Sequence, residues 1–445
     1  MISVVIPVRN GERELERCLE ALQGSRYADY ECIVVDDGSA DGSARVAEGR
    51  GRRLIRCPAS RGPAAARNLG AREARGDILF FIDADVCVTP DSLGRVAQTF
   101  AEDASLDALI GSYDDSPEAP DFLSQYKNLM HHFVHQSGRE TASTFWSGCG
   151  AIRREVFERY SGFREDYKRP AIEDIELGYR LTRDGARILL DKNLRVKHLK
   201  AWTFWRLLKT DILDRGIPWT ELILRDSSMP NDLNVQISQR ISVALVYLML
   251  AAVGVMAVHF KGLFLVPLLL LLLLLLSAYW FHDWHVVRSR ARLLAPIAVA
   301  VGASIYLAWR NHMLSLIPPL AVSLVLIYFQ HRFQRGTWSW RAYSIFTGVS
   351  LASTVGLILS FMPSHPMIIA PFLVLLLVLF INSQFYVFLH GRKSFLFMLT
   401  AIPFHLLYNF YNGISFCAGM ALYWLRRKPA PGEPRPSGRR ANAAK

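Results

Sequence analysis

Short apolar runs rich in β-branched side chains alternate, over the first 110 residues, with segments whose apolar positions recur every three or four residues. The runs at 2–6, 32–35, 78–82 and 106–110 predict strands, and the periodic segments at 12–22, 63–75 and 91–100 predict helices between them. That alternation predicts an α/β domain, Rossmann-like, with an open, mostly parallel sheet covered by helices. In such a sheet ligands gather at the carboxyl ends of the strands. Polar clusters fall at those ends: Arg9-Asn10-Gly11-Glu12, Asp36-Asp37-Gly38-Ser39 and Asp83-Ala84-Asp85. From 121 to 225 the chain carries more helical pattern, more aromatics and fewer strand signals. Within it, 201–213 reads AWTFWRLLKTDIL, with Trp202, Trp205, Leu208 and Ile212 at helical spacing. This predicts an amphipathic helix, lying either in a membrane interface or against the core.

Near residue 240 the pattern changes. After Asp232 the only acidic residues are Asp283 and Glu433. Apolar segments follow at 241–260, 262–280, 293–309, 313–330, 343–362, 367–381 and 394–425, and predict an all-α domain of six or seven membrane spans over 233–425. The loops bearing Arg288, Arg290 and Arg292, then Arg332, Arg335 and Arg341, then Arg392 and Lys393 belong on the cytoplasmic side, with Arg225 and Arg240. Six crossings satisfy that rule. A seventh would put the basic tail outside, so either 394–425, interrupted by Pro403 and Gly413, is re-entrant or interfacial, or the tail breaks the rule. Residues 1–232 are then a cytosolic domain and 426–445 a disordered tail, in a multi-pass protein of the cytoplasmic membrane.

The formal net charge of +12 invites a nucleic-acid reading, but half of it lies in the tail, from Arg426 to Lys445. A basic, Pro-rich tail beside apolar spans fits a solvated or headgroup-facing segment, and no nucleic-acid partner is expected. Six scattered cysteines without a C-x-x-C pair suggest neither zinc nor a disulfide framework, as in a reducing cytosol. The opening MISVVIPVRN lacks a basic region before a long apolar stretch, so no cleavable signal is expected and the later spans would deliver the chain to the membrane.

Asp83 and Asp85 follow the apolar run ILFFI with one small residue between them, so both carboxylates can face one ion. Hard oxygen ligands suit Mg²⁺ or Mn²⁺, and such an ion can bridge a diphosphate. An acidic strand end that only caps the next turn would look the same. Asp36 and Asp37 can accept hydrogen bonds from a base or ribose, where Gly38-Ser39 lets the backbone come close. Ser60-Arg61-Gly62-Pro63 opens a helix with Arg67 and Asn68 one turn in, a plausible diphosphate neighbourhood and also an ordinary helix start.

Taken together, these residues resemble the family-2 glycosyltransferases of the GT-A fold. The family's V-V-I-P-x-x-N stands as Val4 to Asn10, its D-D-G-S as Asp36 to Ser39, its G-x-x-x-A-R-N as Gly62 to Asn68, and its D-x-D as Asp83 and Asp85. Order and spacing match over roughly the first 200 residues. The resemblance implies nucleotide-sugar binding by Pro7, Asn10, Glu12, Asp36, Asp37, Arg67 and Asp83, and metal–diphosphate binding by Asp85 with Asp83 beside it. Ser147-Gly148-Cys149-Gly150 looks like the glycine-bearing loop lining donor sugar and acceptor, which brings in Gly148. Glu173-Asp174 looks like the family's E-D pair, with Asp174 as general base; an acidic first helix turn, with Glu176 and Arg180 as an i,i+4 pair, is the plainer alternative. His198 stands where such enzymes often place a late histidine that reaches the metal.

The expected function is inverting, metal-dependent transfer from a UDP- or GDP-type sugar to a hydroxyl of a lipid or lipid-linked glycan at the cytosolic membrane face, in building a cell-envelope glycan. Polymer synthesis is the nearest alternative, but the Q-x-x-R-W of processive members is only echoed by Arg215 and Trp219. Charging of a polyprenyl phosphate is another; it has little need of a general base. A transporter with a nucleotide-sensing domain would keep ionisable groups in its spans, and these carry no acid. A dinucleotide-dependent oxidoreductase lacks its G-x-G-x-x-G after the first strand.

Overall fold

The structure is a computed structural model that describes residues 1–167, 170–259 and 369–426. In chain order the N-terminal elements are β1 (Ile2–Val8), α1 (Glu12–Gln23), β2 (Tyr30–Asp36), α2 (Ser43–Gly49), β3 (Arg53–Arg56), α3 (Pro63–Glu73), β4 (Ile78–Ile82), β5 (Val86–Cys87), α4 (Ser92–Glu102) and β6 (Ala108–Tyr113). Then come α5 (Phe122–Ser137), β7 (Thr141–Ala142), β8 (Cys149–Arg153), α6 (Arg154–Arg159), α7 (Glu173–Arg183) and β9 (Ile188–His198). The main sheet runs β3-β2-β1-β4-β8-β6-β9-β5, with β7 paired to β9.

The first four strands of that order are parallel, as the alternating pattern predicts. Beyond them the sheet is mixed: β8 runs antiparallel to both β4 and β6, while β6 and β9 are parallel. The weak strand signals between 121 and 225 conceal β8 and β9, whose mixed sequences owe their strand state to neighbours on both sides. β1 is nearly continuous in apolar residues because it lies between β2 and β4 with helices on both faces. α1 buries Leu15, Cys18, Leu19 and Leu22, one helical face. α3 presents mostly alanines to the sheet, and a Cβ at Gly70 would stand 2.4 Å from a Val5 methyl, so a larger residue would push the helix away.

Two pairings decide where the chemistry lies. Ile82 pairs with Cys149 in the antiparallel β4–β8 ladder, so the loop before β8 returns to the carboxyl end of β4. Val86 pairs with His198 between β5 and β9, which sets the end of β9 beside Asp85.

After β9 come α8 (Phe204–Lys209), a π-helical segment Thr210–Gly216, α9 (Ile217–Asp226), a short 3-10 turn Leu233–Val235 and α10 (Ile237–His259). The described chain resumes with α11 (Ile369–Ile381), α12 (Ser383–Arg392) and α13 (Phe395–Arg426). The expected stripe over 201–213 does not form one face: Trp202 precedes α8 and is buried, whereas Trp205 is 77% exposed and Leu213 is exposed on the following segment. Trp202 lies outside the helix because Thr203 caps it, accepting from the Arg206 N–H.

Among the described residues one helix stretch, Ile237–Met256, is long and apolar enough to cross a membrane, and α11 with α12 forms a pair bent by 64° that passes the same test together. The expected spans at 262–280, 293–309, 313–330 and 343–362, and the tail beyond Arg426, lie outside the described residues. The segment 394–425 needs a correction: Pro403 and Gly413 do not interrupt it, and α13 is continuous over 32 residues. Gly413 is there for close packing, since a Cβ would meet the Tyr247 ring at 2.2 Å. α13 lies against α9 and the π-helical segment, and its Phe397, Ala401, Tyr408 and Tyr411 share an apolar core with Phe122, Tyr126 and Leu129 of α5.

Candidate active site

The carboxyl ends of β1 and β2 form a closely bonded turn. Asn10, at φ 53°, donates its N–H to Ser39 Oγ and accepts from the Ala40 N–H at 2.7 Å. Glu12 accepts from the Gly42 N–H at 3.1 Å, and Asp36 accepts from the Ser39 N–H at 2.9 Å. Asp37 is more fully engaged: Ser60 Oγ at 2.6 Å, the Arg61 N–H at 2.7 Å and the Gly62 N–H at 3.0 Å all donate to it. Asp37 therefore fixes the turn that opens α3. Gly38, at φ +73°, is required beside that turn, because a Cβ there would lie 2.9 Å from Ser60 N. Pro7 stands one residue before the end of β1, level with Val35.

Arg67 is the hub beneath the site. It is 5% exposed, and its two terminal nitrogens reach Asp83 at 2.7 Å and Glu173 at 2.9 Å. Burial works against its charge, and the carboxylates of Asp83, Glu173 and Asp174 more than offset that, so the guanidinium is held charged. Burial pushes the Glu173 carboxyl up, against the pull of Arg67. Arg67 and Glu173 form a buried strut joining α3, α7 and the end of β4.

Asp85 and His198 face each other, with Oδ2 and Nε2 3.5 Å apart. The other imidazole nitrogen, Nδ1, lies 2.7 Å from Asn128 Oδ1, and Asn128 Nδ2 donates to the Lys200 carbonyl at 3.3 Å. The amide oxygen must then accept, so Nδ1 donates to it and Nε2 is the ring nitrogen turned toward Asp85. The ring stacks on Tyr113 with centroids 4.2 Å apart and planes 8° apart. Burial works to raise the Asp85 carboxyl, and His198 and Lys200 bring it down to about 2. No cluster of three or more His, Cys, Asp or Glu poised around one point occurs among the described residues. Asp85 and His198 are side chains of a kind that would hold a divalent cation such as Mn²⁺, with Asp83, itself paired to Arg67, two residues along the chain.

Asp174 stands in the first turn of α7. Its Oδ2 accepts from the Ser147 N–H at 3.1 Å and from Ser147 Oγ at 3.0 Å, and its Oδ1 accepts from the Ile175 N–H at 2.8 Å. The loop holding Ser147 is anchored at its start by Asp232, which accepts from the N–H and hydroxyl of Ser143. Next to Ser147, Gly148 accepts from the Asp83 N–H at 3.4 Å, and a Cβ on Gly148 would meet the Trp146 indole at 2.7 Å. One short loop thus touches both Asp174 and the Asp83 strand end. Glu176 and Arg180 do form the i,i+4 ion pair, while Arg180 also donates to the carbonyls of Tyr160 and Gly162.

Of the residues expected from sequence, Asp83, Asp85, His198, Asp174 and Gly148 gather at the carboxyl edge of β4 and the adjoining ends of β8 and β9. Pro7, Asn10, Glu12, Asp36 and Asp37 build the neighbouring turn. The sequence reading missed Asn128, Tyr113 and the Ser147 side chain as partners of these groups. A buried asparagine within α5 was the one signal available, and it becomes visible only when the helix is known to face His198.

A mixed sheet covered by helices, with acidic groups clustered at strand ends, defines an α/β domain with a candidate site along one edge of the sheet. Residues 3–161 match the model of glycosyl transferase family 2. It is 29% identical over 210 residues to the uncharacterized glycosyltransferase EpsJ of Bacillus subtilis, covering 44% of this chain and 60% of that one. It is 30% identical over 207 residues to the pre-mycofactocin glycosyltransferase of Mycobacterium tuberculosis, covering 44% and 42%. The chain therefore spans 60% or less of the length of these relatives. Among solved structures, the mannosyltransferase PcManGT of Pyrobaculum calidifontis, in complex with GDP-Man and Mn²⁺, is 17% identical with a TM-score of 0.43, covering 80% of this chain and 86% of that chain.

Proposed function

We propose that the protein transfers a sugar, with inversion, from a UDP- or GDP-type nucleotide-sugar to a hydroxyl of a lipid or lipid-linked glycan at the cytosolic face of a membrane. The observation that carries this reading is the loop 143–148. It ties Asp174, the one carboxylate positioned as a base, to the strand end that bears Asp83 and Asp85. The turn of Asn10, Glu12 and Asp36 is the seat for the nucleotide, its close backbone leaving room for a base and ribose. Asp85 and His198, with Asp83 alongside, would hold Mg²⁺ or Mn²⁺, which when bound neutralises the diphosphate as it leaves.

The chain's own groups then divide the work. Ser147 orients the Asp174 carboxylate, which takes the proton from the acceptor hydroxyl as that oxygen attacks the anomeric carbon. The bond from the sugar to the diphosphate breaks on the opposite side, the diphosphate leaving with the bonding pair, and a cation held by Asp85 and His198 would supply the positive charge that balances it. Arg67 and Glu173 keep Asp83 and α7 in register. A membrane setting is supported by α10, which exposes Ile241, Leu248 and Val255, and by α11, which exposes Leu373, Leu376 and Phe380.

Purified full-length protein in lipid nanodiscs, given radiolabelled UDP- and GDP-sugars with Mn²⁺ and then extracted into organic solvent, tests both donor and acceptor class. Label is expected in the lipid fraction. Asp174→Asn is expected to lower turnover by about 10²–10⁴ with nucleotide affinity kept, the range for loss of a general base. Full activity in that variant would discard the mechanism.

A further inference from the structure

A cleft of about 440 Å³ lies where the catalytic domain meets α10 and α13. α5 contributes Lys127 and His131, the π-helical segment Arg215, and α10 Arg240 with Val243 and Ala244. Its charges do not balance. The Lys127 ammonium is paired with Asp211 at 2.6 Å, and the same carboxylate oxygen accepts from the Tyr411 hydroxyl at 2.6 Å. Among the described residues Asp211 is the only acid lining the cleft. Arg215 makes no hydrogen bond or ion pair among the described residues, and Arg240 donates only to the backbone carbonyls of Met229, Pro230 and Val235. Two guanidinium charges therefore face the cleft without an acid of their own.

Trp219 and Ile223 on α9, Val243 on α10 and Phe416 on α13 give the rest of the wall an apolar part, beside the polar Thr220, Gln239 and Asn412. α10 supplies the stretch long and apolar enough to enter a bilayer, so the cleft lies along an element suited to guide a hydrocarbon chain. At its inner end the His131 ring stacks on Tyr113 at 5.9 Å, and Tyr113 stacks on His198. The cleft thus adjoins the Asp85–His198 pair through two ring contacts. An irregular helical segment at such a place is a frequent sign of function.

We infer that this cleft seats the phosphate of a lipid-linked acceptor between Arg215 and Arg240, with the hydrocarbon chain along α10 and α13 and the glycan hydroxyl presented toward Asp174. The inference rests on the transfer reading above and names its acceptor class. Uncompensated guanidiniums bind phosphate oxygens through charge-assisted, often bidentate hydrogen bonds, whereas a neutral lipid would leave both charges unanswered.

The test is equilibrium binding by native mass spectrometry on the full-length protein in nonionic micelles, with farnesyl phosphate, farnesol and inorganic phosphate as probes. Farnesyl phosphate is expected to bind at least about tenfold more tightly than either of the others. Arg215→Gln, which removes no hydrogen bond or ion pair among the described residues, is expected to weaken it by about tenfold, a typical loss for one charge-assisted contact. Ala244→Trp, filling the apolar side, is expected to weaken it as well. Equal binding of farnesol, equal binding of inorganic phosphate, or wild-type affinity in both variants would overturn the assignment. Nucleotide binding with Mn²⁺ is measured in the same samples and is expected to be unchanged. Loss of nucleotide binding throughout, with farnesyl phosphate selectivity intact, would instead count against the transfer reading.

Discussion

At His198 the two ring nitrogens have separate duties. Nδ1 is tied to Asn128, and through Asn128 to the Lys200 carbonyl, which holds the ring and aims Nε2 at Asp85. Outer partners of this kind set the affinity of a metal ligand without touching the ion. Asn128→Leu is expected to raise the Mn²⁺ concentration needed for half-maximal nucleotide binding by about 10–100-fold. At saturating metal the nucleotide affinity is expected to return to wild type, and a titration that fails to recover would mean the site itself had collapsed.

α7 carries Glu173 and Asp174 and is seated by a glycine on its inner face. A Cβ at Gly178 would lie 2.2 Å from the Phe145 backbone nitrogen and 2.5 Å from Thr144, two and three residues before Ser147. The contact is backbone against backbone, so neither side can turn away. Gly178→Ala is expected to lift α7 from the loop, break the Ser147–Asp174 hydrogen bonds and destabilise by about 1–3 kcal/mol, the usual cost of overpacking. The measurement is a thermal melt paired with turnover. A large loss of turnover with a modest fall in Tm is the expected pattern, and wild-type turnover would separate the loop from the chemistry.

Across the whole molecule, the catalytic domain and the C-terminal helices are joined by a buried ion pair. Lys127 of α5, Asp211 of the π-helical segment and Tyr411 of α13 meet at one carboxylate, with the Lys127 ammonium also 5.3 Å from the Tyr408 ring centre. Removing one member leaves a buried charge without its partner. Lys127→Met is expected to cost about 3–5 kcal/mol, whereas Lys127→Met with Asp211→Leu is expected to recover most of that loss. Melting curves in micelles distinguish the two cases. Equal destabilisation by the single and double variants would show that packing, not the charge pair, joins the two parts.

What the sequence determined by itself follows from local rules. Apolar patterning gave β1, β2 and β4 with α1 and α3 close to their observed limits, because the strands hold continuous apolar runs, α1 is amphipathic, and α3 is opened by Gly62-Pro63 and rich in alanine. The motif residues Asp83, Asp85 and Asp174 stand out in the sequence by their types and spacing, and the structure places them near one another. β8 and β9 were not legible there, since strands of mixed composition are stabilised by neighbours that are distant in the chain. Nor could sequence tell that Arg67 and Glu173 form a buried strut, that Pro403 leaves α13 continuous, or that Arg215 faces a cleft shared with α10. Those facts depend on which helix lies against which strand end, and only tertiary packing decides that. Asp83 and Asp85 became parts of a site when an antiparallel strand brought Ser147 to their side and the end of β9 brought His198.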